Sequence, residues 1–199
     1  MQVGKLKPKK CRVCSTAFTP ARPLQRVCSG QCALAHVKAE DKRKAAKVKR
    51  EGRRALRGRS DWLKLAQAAF NGYIRARDRE LPCISCGRAT KAKQNAGHYL
   101  SVGSHPELRF DEDGCHKQCE HCNSWKSGNA VEYRRRLIER IGLPRVEWLE
   151  GPHEPKKYTI EELDSLCKTY RAKTRELQRS LVGITTGRAV PSRQKAGLL

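Results

Sequence analysis

The sequence has no run near the roughly 18 consecutive apolar residues that cross a bilayer, so no membrane span is expected in its 199 residues. Acidic residues are scarce: 20 Asp and Glu stand against 43 Lys and Arg, a formal net charge of +23. That imbalance points to a polyanionic partner, nucleic acid before anionic membrane. Aromatics make up only 6% and hydrophobic residues 38%, too little for one deep core spread over the whole length. The basic opening MQVGKLKPKK leads into no apolar segment, so no secretory signal is expected and a cytoplasmic location follows, that of the host cell if the chain is phage-encoded. What the chain does have is 10 cysteines. In a reducing compartment, paired cysteines read as metal ligands before disulfides.

Residues 1–36 hold the first cysteine cluster, with Pro20, Pro23, Ser29 and Gly30 between its halves. Residues 37–60 form a basic arm: from Lys38 to Arg59 the acids are Glu40, Asp41 and Glu51, and the apolar residues are mostly alanine. Such a stretch buries little, as a solvated helix or a disordered tether, and it suits phosphates, with Lys47, Arg50, Arg53 and Arg54 as contacts. Trp62, Leu65, Ala66, Ala69, Phe70, Tyr73 and Ile74 recur at helical spacing and predict a helix over 61–79, stopped by Leu81-Pro82. Further helices are expected at 130–141, before Gly142 and Pro144, and at 160–181, where Thr159 and Glu162 make a capping box. The tail, 183–199, lacks periodicity and is expected to be mobile.

Cys83-x2-Cys86 and Cys119-x2-Cys122 offer four thiolates in two tight pairs, the donor set of a closed, structural zinc site. Gly87, just after the first pair, supplies the permissive backbone such a turn needs. Cys11-x2-Cys14 and Cys28-x3-Cys32 read as a second structural zinc site, with Phe18 and Val27 as its small core and His36 as an alternative ligand to Cys32. Cys115 and Cys167 are left over, the latter on an apolar helix face as packing.

Between the second set of pairs lie Gly97-His98-Tyr99, His116, and Asn123 directly after Cys122, with Lys126 three residues on. A histidine on a strand, a loop, and a helix opening at CxxCN-x2-K resemble the HNH nuclease motif, the ββα-metal or His-Me finger. Taken with LPCISCG, AGHY, LRF, HKQC-x2-CN and KSGN, the chain is similar to the NinG (Rap) family of phage recombination nucleases over most of its length. The resemblance implies a structure-specific endonuclease acting on branched recombination intermediates, Holliday junctions and D-loops, alongside recombination proteins.

Phosphodiester hydrolysis needs an activated water and a cation that neutralises charge on the phosphate. A neutral imidazole suits the first task near pH 7, and the resemblance gives it to His98. The cation would be Mg²⁺ or Mn²⁺, with Asn123 at the family's helix-ligand position. Two positions depart from the HNH pattern. Gly97 replaces an aspartate ligand, and Gly114 stands where an asparagine orients the base, leaving His116 and Asp113 as the nearest substitutes. Lys126 with Arg134, Arg135 and Arg136 would position phosphates without reading bases. Trp125 is either core or a platform for an unpaired base. The expected architecture is therefore α+β: an N-terminal zinc knuckle, a basic helical arm, a zinc-stapled ββα-metal (HNH-like) nuclease domain over 61–182 and C-terminal helices, with a homodimer meeting the need for paired cuts. The rival from another class is a non-catalytic zinc-finger DNA-binding protein, a regulator or recombination mediator. It shares the basic arm and both cysteine clusters but has no need of His98.

Overall fold

The computed structural model describes residues 6–185, which fall into two units that meet between Arg57 and Gly58. The tail from 186 onward, expected to be mobile, lies outside the described residues.

In the first unit, β1 (Lys9–Lys10) and β2 (Ala17–Phe18) pair antiparallel, Lys9 opposite Phe18. Helix α1 (Gly30–Ala55) follows, capped by Ser29, whose Oγ accepts from the Cys32 amide at 3.2 Å. It begins inside the cysteine cluster and runs unbroken through the basic arm, so cluster and arm share one element of about 39 Å. Alanine, lysine and arginine favour helix intrinsically, and Arg43–Glu40 and Lys47–Glu51 pairs span single turns. None of its residues is buried; this is a helix made by propensity, not by a core.

The second unit is organised around α2 (Arg59–Arg77) and α5 (Ile160–Thr185). Trp62, Ala66, Phe70 and Ile74, each four residues apart, put one stripe of α2 against Leu163, Cys167 and Tyr170 of α5, with Phe110, Cys115 and Tyr158 completing the core. Phe70 meets Phe110 and Tyr170 edge to face. The capping box at α5 is made: the Thr159 amide donates to Glu162 Oε2 (2.8 Å) and the Glu162 amide to Thr159 Oγ1 (3.2 Å). The apolar stripe of α5 is thus used internally along its first three turns.

A second core joins Ile84, Leu108, Tyr133, Leu137, Val146 and Leu149, drawn largely from α3 (Ala130–Ile141) and α4 (Leu143–Glu150). Between the two cores lies the hairpin of β3 (Gln94–His98) and β4 (Cys115–Cys119), paired antiparallel with Gln94 opposite Cys119 and His98 opposite Cys115. Alternation along the strands divides it. Ala96, His98 and Cys115 look toward α2. Gly97, His116 and Gln118 look toward the α3 side, where Tyr133 lies against the His116 ring and donates its hydroxyl to the Gly97 carbonyl. Among the described residues no helix is long and apolar enough to cross a membrane.

Candidate active site and metal centres

Both expected cysteine tetrads are assembled. The sulfurs of Cys11, Cys14, Cys28 and Cys32 lie within 4.8 Å of one another, as do those of Cys83, Cys86, Cys119 and Cys122. The turns that present them are built alike. The Ser15 amide bonds the Cys11 carbonyl and the Gly87 amide the Cys83 carbonyl, with Ser15 (φ 61°) and Gly87 (φ 67°) both left-handed. Backbone amides face the sulfurs: Val13 toward Cys11 (3.5 Å) and Cys119 toward Cys83 (3.4 Å). Each tetrad could hold a zinc ion with no position left for substrate. Gly87 has a further reason to be glycine, since the guanidinium of Arg136 lies against it and a Cβ there would come within 2.6 Å. His36 is not among the residues grouped at the first tetrad, and Cys115 and Cys167 are packed into the α2–α5 core.

His98 ends β3 with its ring 5.8 Å from that of Phe70. Its Nε2 lies 3.0 Å from the Arg109 carbonyl oxygen. A carbonyl only accepts, so Nε2 carries the hydrogen and Nδ1 of the neutral ring holds the free lone pair. Burial, opposed by that hydrogen bond, moves the imidazole below its ordinary pKa, and it is neutral at pH 7. The ring lines a cavity of about 10 Å³ walled by Leu100, Leu108, Gly114 and Leu149, about the space of one water. Gly114, where an asparagine was expected to orient the base, contributes no side chain. The Arg109 carbonyl does the orienting, and the Arg109 guanidinium is itself fixed by Gln67 Oε1 (3.2 Å) and the Val102 carbonyl (3.0 Å).

His116 does not join it. Buried at 4% exposure, its Nδ1 lies 2.9 Å from Arg77, 3.2 Å from Arg140 and 3.4 Å from Asp78 Oδ2, and its Nε2 donates to the Asp113 carbonyl (2.9 Å). With both nitrogens engaged by buried partners, the ring offers no lone pair to a cation, contrary to the catalytic part expected of it. Its partner Asp78, also buried, takes two hydrogen bonds from Arg77 and one from the Lys117 amide. Burial alone would raise the Asp78 carboxyl, but His116, Arg77 and that amide together hold it well below the usual range. This knot ties the end of α2 to β4. No local pattern signals it, because Arg77 and Asp78 lie 39 and 38 residues before His116, and Arg140 lies 24 after it.

Asn123 sits half-buried in a π-helical turn (His121–Trp125) that departs beyond Cys119. His98 pairs at the opposite end of the hairpin, about 13 Å along the strand, and no hydrogen bond among the described residues joins the two. Over Gly97, where an aspartate ligand would stand, lies the buried amide of Gln118. Its nitrogen donates to Ser85 Oγ and the Gly128 carbonyl, both at 2.6 Å, while its Oε1 has no hydrogen-bond partner. Among the described residues the two tetrads are the only groupings of three or more His, Cys, Asp or Glu ligand atoms.

The expected phosphate contacts diverge. Arg134 pairs on the surface with both oxygens of Glu150 (2.7 and 2.9 Å). Arg135 pairs with Glu132 and Glu139 on the surface of its own helix, and Arg136 turns inward to Gly87. Lys126 is exposed, as are Lys47, Arg50, Arg53 and Arg54 along α1. Trp125 is 80% exposed and belongs to no core.

The sequence matches the family described as "Bacteriophage Lambda NinG protein" over residues 3–180. Two relatives named "Protein ninG" bracket the likeness. That of Salmonella phage P22 is 50% identical over 126 residues, 63% of this chain and 62% of the relative. That of Escherichia phage 933W is 41% identical over 191 residues, 86% of this chain and 94% of the relative. A third, from Escherichia phage lambda, is 49% identical over 126 residues, again 63% of this chain and 62% of the relative. The matched stretch therefore spans just under two thirds of the P22 and lambda relatives. No solved structure matches the chain. Because the family match takes in both cysteine tetrads, the basic helix, the hairpin of His98 and the helices around it, the chain belongs to the NinG family of bacteriophage proteins.

Proposed function

We propose that this chain is an endonuclease that cuts branched DNA during phage recombination, in the cytoplasm of the host cell, with zinc in both cysteine tetrads and His98 as general base. The observation that carries the reading is the state of His98. It is a neutral imidazole with Nε2 tied to the Arg109 carbonyl and Nδ1 free, beside a cavity of one water's size. Such a ring can take a proton from a water attacking phosphorus. The net charge of +23 supplies affinity for the phosphate backbone. The exposed basic faces of α1 and Lys126 make contacts that carry no base preference, which suits an enzyme reading DNA shape. The zinc ions do no chemistry; the one in the second tetrad holds the hairpin and the turn after it, and the one in the first tetrad holds the start of α1.

For a hydrolytic Mg²⁺ or Mn²⁺ the described residues bring no ligand set to His98: Gln118 Oε1 is buried over Gly97 on the other face of the hairpin, and Asn123 lies beyond its far end. Such an ion would be carried by phosphate and water, as Mg²⁺ often is, and would neutralise charge on the phosphate. Two symmetric cuts across a four-way junction would take two chains.

The decisive experiment incubates wild type and His98→Ala with labelled four-way and linear duplex DNA, with and without Mg²⁺ or Mn²⁺. Equal binding by both, with cleavage of the branched substrate by wild type alone, supports the nuclease. Tight binding with no cleavage by wild type under either metal supports a second reading, a DNA-binding member without hydrolysis. That reading is favoured because, among the described residues, His98 belongs to no grouping of three or more His, Cys, Asp or Glu ligand atoms, and because the space over Gly97 is filled.

A further inference from the structure

We infer that the turn carrying Trp125, with the cleft beside the second cysteine tetrad, binds an unpaired nucleotide: the base stacks on Trp125, and the phosphate lies among Arg88, His121 and Lys126. The inference rests on the proposed DNA substrate and names the part of a branch this surface grips. It does not require that the chain cut anything.

The cleft has a volume of about 220 Å³, with Arg88, Thr90, His121 and Lys126 on its wall and the cysteines behind. Arg88, His121 and Lys126 are all exposed, and no carboxylate among the described residues pairs with them. The neighbouring Glu120 is held by Lys93 at 2.7 Å. A tetrathiolate zinc would carry two net negative charges, which Arg88 and Lys126 would offset in part. The groove is thus a recess with two exposed cations, Arg88 and Lys126, on its wall.

Trp125 stands one residue from Lys126 with 80% of its surface in water. Trp62, by contrast, is buried. A tryptophan spent on packing would be covered, and this one is displayed. Its turn is fixed on every side. The Lys126 amide bonds the His121 carbonyl, the Gly128 amide the Cys122 carbonyl and the Asn129 amide the Lys126 carbonyl, while the Gly128 carbonyl receives both Gln118 and Ser85. Three successive residues, Ser127 (φ 46°), Gly128 (φ 88°) and Asn129 (φ 47°), hold left-handed backbone, two of them without being glycine. Strain of this kind persists only where the surroundings impose it, and it gathers at binding sites. A rigid aromatic face needs no ordering on association. Arg88 and Lys126 beside a displayed aromatic match the phosphate and the base of a nucleotide separately. Stacking is indifferent to base identity because every base has a π-face.

The test measures binding of the full zinc-loaded chain without added Mg²⁺ or Mn²⁺, so that cleavage plays no part. Labelled single-stranded oligonucleotide and blunt duplex are titrated with wild type, Trp125→Ala, Trp125→Tyr and Arg88→Ala/Lys126→Ala. Removing one stacking partner should weaken single-strand binding about tenfold to a hundredfold. Duplex affinity should stay within about twofold, and Trp125→Tyr should retain most of the affinity. The double variant should weaken single-strand binding and flatten its salt dependence, with two zinc ions retained per chain. Equal losses by Trp125→Ala on both DNAs, or none on either, would overturn the assignment. So would zinc loss in the double variant, which would make the cations structural, or dissociation of a self-associated species by Trp125→Ala, which would make the aromatic a protein contact.

Discussion

Gln118 Oε1 lies over Gly97 so closely that a Cβ on that glycine would stand 2.0 Å from it. The two positions have exchanged duties: residue 97 has no side chain, and a side chain from the partner strand fills its place. Gln118 cannot swing away cheaply, because its nitrogen is anchored to Ser85 and Gly128. The glycine is therefore a packing requirement, although its φ is unremarkable.

Gly97→Ala should destabilise the second unit by about 1–3 kcal/mol through overpacking. Gln118→Ala removes the 2.0 Å clash but leaves its own Cβ 2.9 Å away, so it should relieve the same substitution in part, and a double-mutant cycle should show coupling of about 1 kcal/mol or more. Thermal or urea unfolding of the four proteins measures it. Additive losses would mean that the contact is relieved by a backbone shift instead.

Asp78→Asn should cost about 3 kcal/mol, since it leaves Arg77 and Arg140 beside His116 without their carboxylate. The sign with pH follows from the depressed carboxyl. The contribution of Asp78 is present above its unfolded value near 3.8 and is lost as pH falls from there toward the folded value. Unfolding free energies of wild type and variant should therefore converge below pH 4. A constant gap down to pH 2 would show that the charge is not what Asp78 contributes.

Much of this could be read from the residues. The stripe from Trp62 to Ile74 and the capping box at Thr159 are local patterns, and both appear where periodicity placed them. The tetrads follow from spacing. Helix α4 was missed because Gly142 (φ 83°) and Pro144 read as a stop, whereas proline in the first turn of a helix also opens one. Core and displayed platform stay open for Trp125 in the sequence, since nothing in its neighbours reveals a left-handed turn that lifts it into water. The orienting partner of His98 is a backbone oxygen, which has no sequence signature at all. His116 looked available only because the two arginines that occupy it come from α2 and α3.

Zinc removal should unfold both cysteine-bearing regions, because α1 buries nothing and the sulfur cluster of the second unit touches few apolar side chains. Metal analysis should return two zinc ions per chain. Exhaustive chelation should abolish the cooperative thermal transition, as expected where metal affinity supplies folding energy. Cys119→Ser, which removes one ligand of the second tetrad only, should release one ion and leave the first site loaded. An unchanged transition after chelation would show that the tetrads are not structural.

The acid limb of cleavage tests the role given to His98. Its pKa lies below 6.5 because the ring is half-buried against Phe70. The reactive neutral form should therefore be almost fully populated at pH 7, and single-turnover cleavage should fall only below pH 6.5. Stability should follow the same group with the same sign. The unfolded chain takes up the proton at higher pH than the folded one, so stability is lost as pH drops from 6.5 toward the folded value. His98→Ala should lower cleavage by about a hundredfold to ten-thousandfold and abolish this pH-dependent part of the stability, with DNA binding unchanged. A rate midpoint at or above pH 7 would place the proton acceptor elsewhere, since burial can only move this imidazole downward.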